Sequence, residues 1–492
     1  MRTLFVLSIL IAVSACSHPE STSIRFGLAN APISLDPRFA TDATSSRINR
    51  LLYQRLVDFD DRLRPVPSMA TMVRLSDTHY RFHLKKSGRL FDNGSRLTAR
   101  DVMATYQYVM DRKNASPHRG SLASIKRMEV ISDDEIDFFL SRTDSLFPGY
   151  LTIGILPKEV IDNNISLDRQ SLGSGPFRFV DWPGSGNLVI ERRSDKQRVE
   201  FIPVKDATVR VLKLLRGEID LLQNDLPVEL VSYLKKKNKF RISGRPGSNF
   251  TYLGLNMREP LLQDTNVRKA IAYAIDRKTI IKYLLGSYTR VANAILTPGH
   301  WAGYKGGTPY SYKPGTARSL LERAGYNKEN PLILEYKTSS DPLRIRIATI
   351  IQKQLKEVGI EVRLRSFDWA TVYGDIKEGR FQLYSLSWVG IKNPDIFRYV
   401  FHSQSIPPRG ANRGAYNSLV VDRLIEEADQ AENDRQSSIL YQEIQKIVLD
   451  ELPYIPLWYE GQVLITAKSI EDYRLMPDGN YDGLLDVRKQ KP

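Results

Sequence analysis

Hydrophobic and polar positions follow two alternating periods along this chain. Residues 79–84, HYRFHL, put Tyr80, Phe82 and Leu84 on one face and His79, Arg81 and His83 on the other, which predicts a strand. Ile24 to Leu28 reads as an earlier strand, broken by Leu35-Asp36-Pro37, and Ile48, Leu51, Leu52 and Leu56 follow at helical spacing. A helix is predicted over Ala99 to Met110. A hairpin follows, with Met128 to Ile131 and Ile136 to Leu140 flanking the turn Ser132-Asp133-Asp134. Gly173-Ser-Gly-Pro-Phe-Arg-Phe179 starts a new strand, and residues 207–222 read as a helix and a short strand.

The clearest pattern lies between 331 and 390. Leu332 to Thr338 alternates as a strand. Leu343, Ile347, Ile350, Ile351, Leu355 and Val358 share one helical face that Gly359 terminates. Ile360-Glu-Val-Arg-Leu alternates again, a second helix runs from about Trp369 to Lys377, and Phe381 to Trp388 is apolar on both faces. This βαβαβ order implies a parallel sheet with right-handed crossovers. Ligands of such sheets bind beyond the carboxyl ends of the strands. Trp388 stands at such an end, followed by Val389 and Gly390, where backbone approaches a guest closely. These residues are expected to wall a site.

The chain has 492 residues, enough for two or three domains, and its 42% hydrophobic and 26% charged composition is that of a folded globular protein. Residues 1–15 depart from this pattern. Arg2, the short apolar run Leu4 to Val13, and Ser14-Ala15 form a signal peptide, and Val13-Ser14-Ala15-Cys16 matches the bacterial lipobox. Cys16, the only cysteine, is expected to be lipidated, with residues 16–23 a polar tether; several acyl chains make a lasting anchor. The mature chain then has no thiol for a disulfide, a nucleophile or a metal site.

The net charge of +15 raises the question of nucleic acid. The bases are scattered among acids, however, and the one dense run, Lys235-Lys236-Lys237 near Lys239, has no interleaved aromatics for stacking. A basic surface toward anionic lipid or cell wall fits better, and no nucleic-acid partner is expected. GxSxG, HExxH, the P-loop and GxGxxG are absent from the sequence. His79 and His83 are four apart, which gathers metal ligands on a helix but separates them by ~13 Å on a strand. Acids are plentiful, so composition alone leaves a paired-carboxylate hydrolase open, but the expectation is no enzyme, no metal and no cofactor.

Tyr252-Leu-Gly-Leu-Asn256 followed by Asn266-Val-Arg-Lys-Ala-Ile-Ala-Tyr-Ala-Ile-Asp-Arg277 resembles the signature region of the family 5 solute-binding proteins of ABC importers. Other pieces similar to that family occur in its order. They are Ser34-Leu-Asp-Pro37, Tyr80 to Lys85 with Phe91-Asp-Asn-Gly94 and Leu97 to Val102, Gly175-Pro-Phe-Arg-Phe179, Gly217-Glu-Ile-Asp220, and Leu440 to Ile447 with Pro453-Tyr-Ile-Pro-Leu457. Within these stretches, Asp264 or Asn266 can cap a helix that Gly286 ends, and Pro453 and Pro456 bracket a short strand.

The resemblance implies an α/β, two-lobed periplasmic-binding-protein fold (type II, cluster C-like) with an extra inserted domain. Domain I is then 24–57, 173–255 and 467–492, domain II is 58–172, and domain III is 256–466. It implies a monomer that delivers a peptide or peptide-like solute to ABC permease subunits from the outer side of a bacterial membrane, the periplasmic side in a Gram-negative host. A receptor for a metal complex or oligosaccharide, and a signalling or structural lipoprotein without a permease, stay open. It places the ligand among Thr41-Asp42-Ala43, Tyr252 and Trp388-Val389-Gly390, with Tyr481 a further candidate. In the oligopeptide and dipeptide receptors, an aspartate three residues after the equivalent tryptophan pairs with the peptide ammonium. Here that position is Ile391, and the segment before Pro394 is one residue shorter. Asp395 and Asp42 are the acids available to replace it.

Overall fold

In a computed structural model, the described residues are 23–490 except Asp61, Ser185, Thr308, Pro309 and Lys328. The signal peptide, Cys16 and all of the tether but Ser23 lie outside them. Among the described residues, no helix is long and apolar enough to cross a membrane.

Two sheets organise the described chain. The first has the strand order Phe240–Arg245, Gln462–Ala467, Leu221–Gln223, Ile24–Leu28, Arg198–Pro203, Leu188–Arg192, Phe177–Asp181. The second runs Arg290–Val291, Tyr454–Tyr459, Phe250–Leu255, Leu383–Trp388, Leu332–Ser339, Ile360–Phe367. Each is the centre of one lobe. A third sheet, Ala70–Ser76, His79–Leu84, Glu135–Leu140, Ile125–Ser132, belongs to a smaller domain. Tyr80, Phe82 and Leu84 turn inward there onto the helix Ala99–Met110 and its Val102, Tyr106 and Val109.

The expected βαβαβ unit is present. Leu332–Ser339 pairs in parallel with Ile360–Phe367 and with Leu383–Trp388. The helix Pro342–Lys356 buries Ile347, Ile351 and Leu355, and Gly359 follows at φ +95°, a left-handed turn that favours glycine. Trp388 is the last residue of its strand.

Several boundaries differ from expectation. The strand Phe250–Leu255 belongs to the second lobe, pairing Phe250 with both Trp388 and Tyr459, and Gln462–Ala467 belongs to the first, pairing with Phe240–Arg245. The lobes therefore exchange at 246–249 and 460–461, and not at 255/256 and 466/467. Ladder hydrogen bonds decide sheet membership, and a strand buried on both faces carries no pattern that names its sheet. Pro456 lies inside Tyr454–Tyr459, at the point where pairing with Phe250–Leu255 slips register, a place that tolerates a missing N–H. Leu56 lies beyond its helix, which ends at Leu52. Asp264 caps Thr265–Ala274, and two short helical segments intervene before Gly286, at φ +81°.

The early turn at Ser34 to Arg38 is a buried polar knot. Arg38 donates to Asp36 through Nε (2.9 Å) and Nη2 (2.6 Å), and to the Ile165 carbonyl at 3.0 Å, and both side chains are 2% exposed. Ser34 Oγ donates to Asp168, and Tyr53 Oη donates to the Leu35 carbonyl. Removing one member of such a pair leaves a buried charge uncompensated. Arg38→Ala is therefore expected to lose ~3–5 kcal/mol in urea unfolding; a loss below ~1 kcal/mol would show that the knot contributes little.

Candidate functional site

The carboxyl ends of the three parallel strands gather an aromatic set. Phe367 ends one strand, Trp369 begins the next helix, and Trp388 ends the third strand. Phe367, Trp369, Val389 and Tyr399 are exposed, although large apolar side chains are ordinarily covered. Trp388 is half-buried. Its ring stands edge-on to Tyr399 at 6.1 Å and stacks toward Tyr252 at 6.3 Å, and its indole Nε1 is buried without a hydrogen-bond partner. A buried, unpaired donor is costly and marks a place where an acceptor is wanted.

Arg413 sits behind this surface. It is 8% exposed, its guanidinium lies 5.1 Å from the Trp388 ring and 5.5 Å from the Tyr373 ring, and it donates to Tyr252 Oη (3.2 Å) and Tyr373 Oη (3.4 Å). It has no carboxylate partner among the described residues. Its aromatic neighbours hold the cation face-on, which is a favourable arrangement. Nothing in the sequence marked it, because it is a single arginine in the turn-rich stretch Gly410 to Ala415.

The expected site residues are distributed unevenly. Trp388, Val389 and Gly390 form the strand end, exposed at Val389, with Gly390 at φ +70° and its N–H donating to Asn249 Oδ1 at 3.2 Å. Tyr252 is not on the surface. It is fully buried, stacked on Tyr454 at 4.0 Å, and supports Trp388 from behind. Tyr481 is likewise inside, 3% exposed in the core of the first lobe against Phe26 and Phe201. Both lie inward for the same reason: a tyrosine's apolar body packs inward wherever its hydroxyl finds polar company. Asp42, between the exposed Thr41 and Ala43, caps the helix Ala43–Leu52 by accepting from Ser45 N at 2.9 Å.

Asp395 is half-buried where the smaller domain meets the second lobe. Burial, together with Asp429 and Asp144, pushes its carboxyl up to about 7. Asp429 is itself held by Arg398 (2.6 Å) and Tyr441 (2.9 Å), and among the described residues no cation pairs with Asp395. Ile391 is buried, and the next residue, Lys392, reaches across to the first lobe, its Nζ 3.1 Å from Asp478 Oδ2. Burial lowers the Lys392 pKa, against the pull of Asp478. Arg346 and Glu229 make a second contact between lobes at 2.9 Å, and Ser145 N donates to the Asp429 carbonyl between the smaller domain and the second lobe. Beside the Lys392–Asp478 contact lies a cavity of 430 Å³, lined by all three domains. The candidate site thus has two parts, an aromatic strand end at Trp388 and, a few residues on at Lys392, a polar cavity between the lobes; concave, polar-lined space of this kind suits a solute.

The chain belongs to the bacterial extracellular solute-binding proteins, family 5, whose model matches residues 64–406. It is therefore an extracytoplasmic solute-binding receptor and not an enzyme. It is 26% identical over 525 residues to the oligopeptide-binding protein AppA of Bacillus subtilis (strain 168), covering 97% of this chain and 96% of that one. The crystal structure of AppA with a nonapeptide matches at TM-score 0.80 and 25% identity, over 95% of this chain and 99% of that one. NikZ of Campylobacter jejuni, solved with Ni(L-His), matches at TM-score 0.82 and 24% identity over the same shares, and confirms the two-lobed fold.

The Asp395 carboxyl supplies a test. An unfolded aspartate titrates near ~4, whereas this one titrates at about 7 when folded. Between those values the folded chain binds the extra proton, so the contribution of Asp395 to stability falls as pH rises from ~4 to ~7. Asp395→Asn is expected to unfold at higher temperature than the parent at pH 8, by an equivalent of about 2–4 kcal/mol, with the gap closing near pH 4. Equal stabilities at pH 8 would mean that the carboxylate has a partner.

Proposed function

We propose that this chain is a lipid-anchored receptor that acts as a monomer, encloses a peptide or peptide-like solute between its lobes, and passes it to an ABC permease. The observation that carries this reading is the aromatic strand end at Trp388-Val389-Gly390, half-buried at Trp388 and exposed at Val389, a few residues from the Lys392–Asp478 contact between the lobes. A strand end offers unpaired backbone groups, and peptide guests add to such edges through their own backbone while side chains occupy roomy pockets. The oligopeptide-binding relative, alike over nearly its whole length, supports a peptide guest.

A second reading has its own observation. Ile391 stands where the peptide receptors carry an aspartate, Asp42 is occupied as a helix cap, and Asp395 sits among other acids. An ammonium brought into the cleft without a carboxylate is costly. A solute whose amine is blocked or absent fits these residues better than an ordinary free-amine peptide. Calorimetry with matched free and N-acetylated peptides separates the two readings. Strong preference for the free amine, lost in Asp395→Asn, would restore the conventional mode.

Two outcomes test the reading as a whole. Trp388→Ala is expected to weaken peptide binding by ~1–3 kcal/mol with a smaller effect on the melting temperature. A large fall in melting temperature, with intrinsic fluorescence indifferent to every bound peptide, would return Trp388 to the core. Cys16→Ser is expected to move the protein from the membrane fraction to the soluble one; a variant still membrane-bound at unchanged mass would remove the anchor.

A further inference from the structure

The 430 Å³ cavity at the junction of the three domains has an unequal balance of charge. Its lining includes the cations Arg50, Arg245, Arg290, Lys392 and Arg474 but only three acids, Asp60, Asp478 and Asp482. The acids are all engaged. Asp478 accepts from Asn480 N at 3.0 Å and pairs with Lys392. Asp482 takes the Arg50 guanidinium at 2.8 Å, and Asp60 Oδ1 accepts the backbone N–H groups of Arg62 and Arg64.

Three of the arginines are not engaged in that way. Arg245 donates to the Leu475 carbonyl at 3.0 Å, and Arg290 reaches the Gly247 carbonyl at 3.4 Å with its guanidinium 5.9 Å from the Tyr459 ring. Neither has a carboxylate partner among the described residues, and Arg474 has no hydrogen-bond or ion-pair partner among them. His300, also in the lining, is held neutral near pH 7, because burial depresses its pKa to about 4. Arg245 is half-buried and Arg290 and Arg474 are exposed, and all three line one concave space formed by both lobes. A guanidinium fork there meets a carboxylate in two parallel hydrogen bonds.

We propose that this cavity seats an anionic group, and that the receptor's substrates are acidic peptides or peptide conjugates with at least two carboxylates. The acidic end lies against Arg245, Arg290 and Arg474. This rests on the peptide reading above and adds the sign of the guest. It also accounts for Ile391: where the cleft does not need to hold an ammonium, an aspartate there has no task.

The test is calorimetry on the full chain with N-acetylated Ala-Glu-Glu-Ala, N-acetylated Ala-Gln-Gln-Ala and the non-peptide dianion glutarate. The acidic peptide is expected to bind about tenfold or more tighter than the amide. That advantage should shrink when salt rises from ~0.05 to ~0.5 M, since screening weakens charge pairing. It should also shrink in Arg474→Gln, where an exposed side chain is changed and melting confirms the fold; Arg245→Gln repeats the test deeper in the cavity. Equal binding of the two peptides, or an advantage untouched in Arg474→Gln, overturns the anion seat and leaves the peptide reading standing. Binding of glutarate alone, lost in Arg474→Gln, keeps the seat and removes the peptide. No binding by any of the three overturns both.

Discussion

The two chain crossings between the lobes hold the architecture together. They run side by side at 246–249 and 460–461, and they are packed too tightly for side chains at some points. A Cβ on Gly247 would stand 2.1 Å from the Glu460 carbonyl oxygen. The backbone of Glu460 donates to the Asn249 carbonyl at 2.9 Å, and the Glu460 carboxylate accepts the hydroxyls of Thr251 and Ser387 at 2.8 and 2.7 Å. Ser387 precedes Trp388, and Asn249 also holds the Gly390 N–H. The hinge and the aromatic wall are therefore bonded to each other. A few residues that absorb the backbone change are enough for two lobes to close about such crossings.

The aromatic strand end and the junction between the lobes differ in chemistry. Trp388, Tyr399 and Trp369 offer apolar area with little side-chain entropy to lose. Arg413, held between Trp388 and Tyr373, fixes how those rings lie. The junction offers charge. Lys392 belongs to both, since it follows the wall by four residues and touches the opposite lobe through Asp478. Polar contacts at the moving interface cost less to break than apolar burial of the same area, which suits lobes that must part again to release a solute.

The smaller domain is fixed to both lobes. The knot at Ser34 to Arg38 joins it to the first lobe, with Ser116 Oγ donating to the Arg38 carbonyl at 2.7 Å and the Arg38 guanidinium 4.3 Å from the Tyr108 ring. The turn Asp144 to Leu146 docks it on the second lobe near Asp429 and Asn393. Asp395 is caught in that contact. Its raised pKa comes from the meeting of two domains, and no local feature of Pro394-Asp395-Ile396 would produce it.

Where burial has a period, the sequence alone determined the structure. The strand at Ile24–Leu28, the helices Ala99–Met110 and Trp369–Lys377, and the parallel unit ending at Trp388 follow from alternation, helical spacing and glycine stops, all of which act within a dozen residues. The ordered motifs also fixed the family. The tertiary structure alone decided which sheet claims Phe250–Leu255 and Gln462–Ala467, because a strand apolar on both faces pairs with whichever edge reaches it. It also turned Tyr252 and Tyr481 inward, spent Asp42 on a helix cap, and brought Arg245, Arg290 and Arg474 round one cavity from segments up to 229 residues apart. Periodicity records which face of an element is buried. It carries no record of which distant charges meet, since that depends on how the elements pack and not on their own pattern.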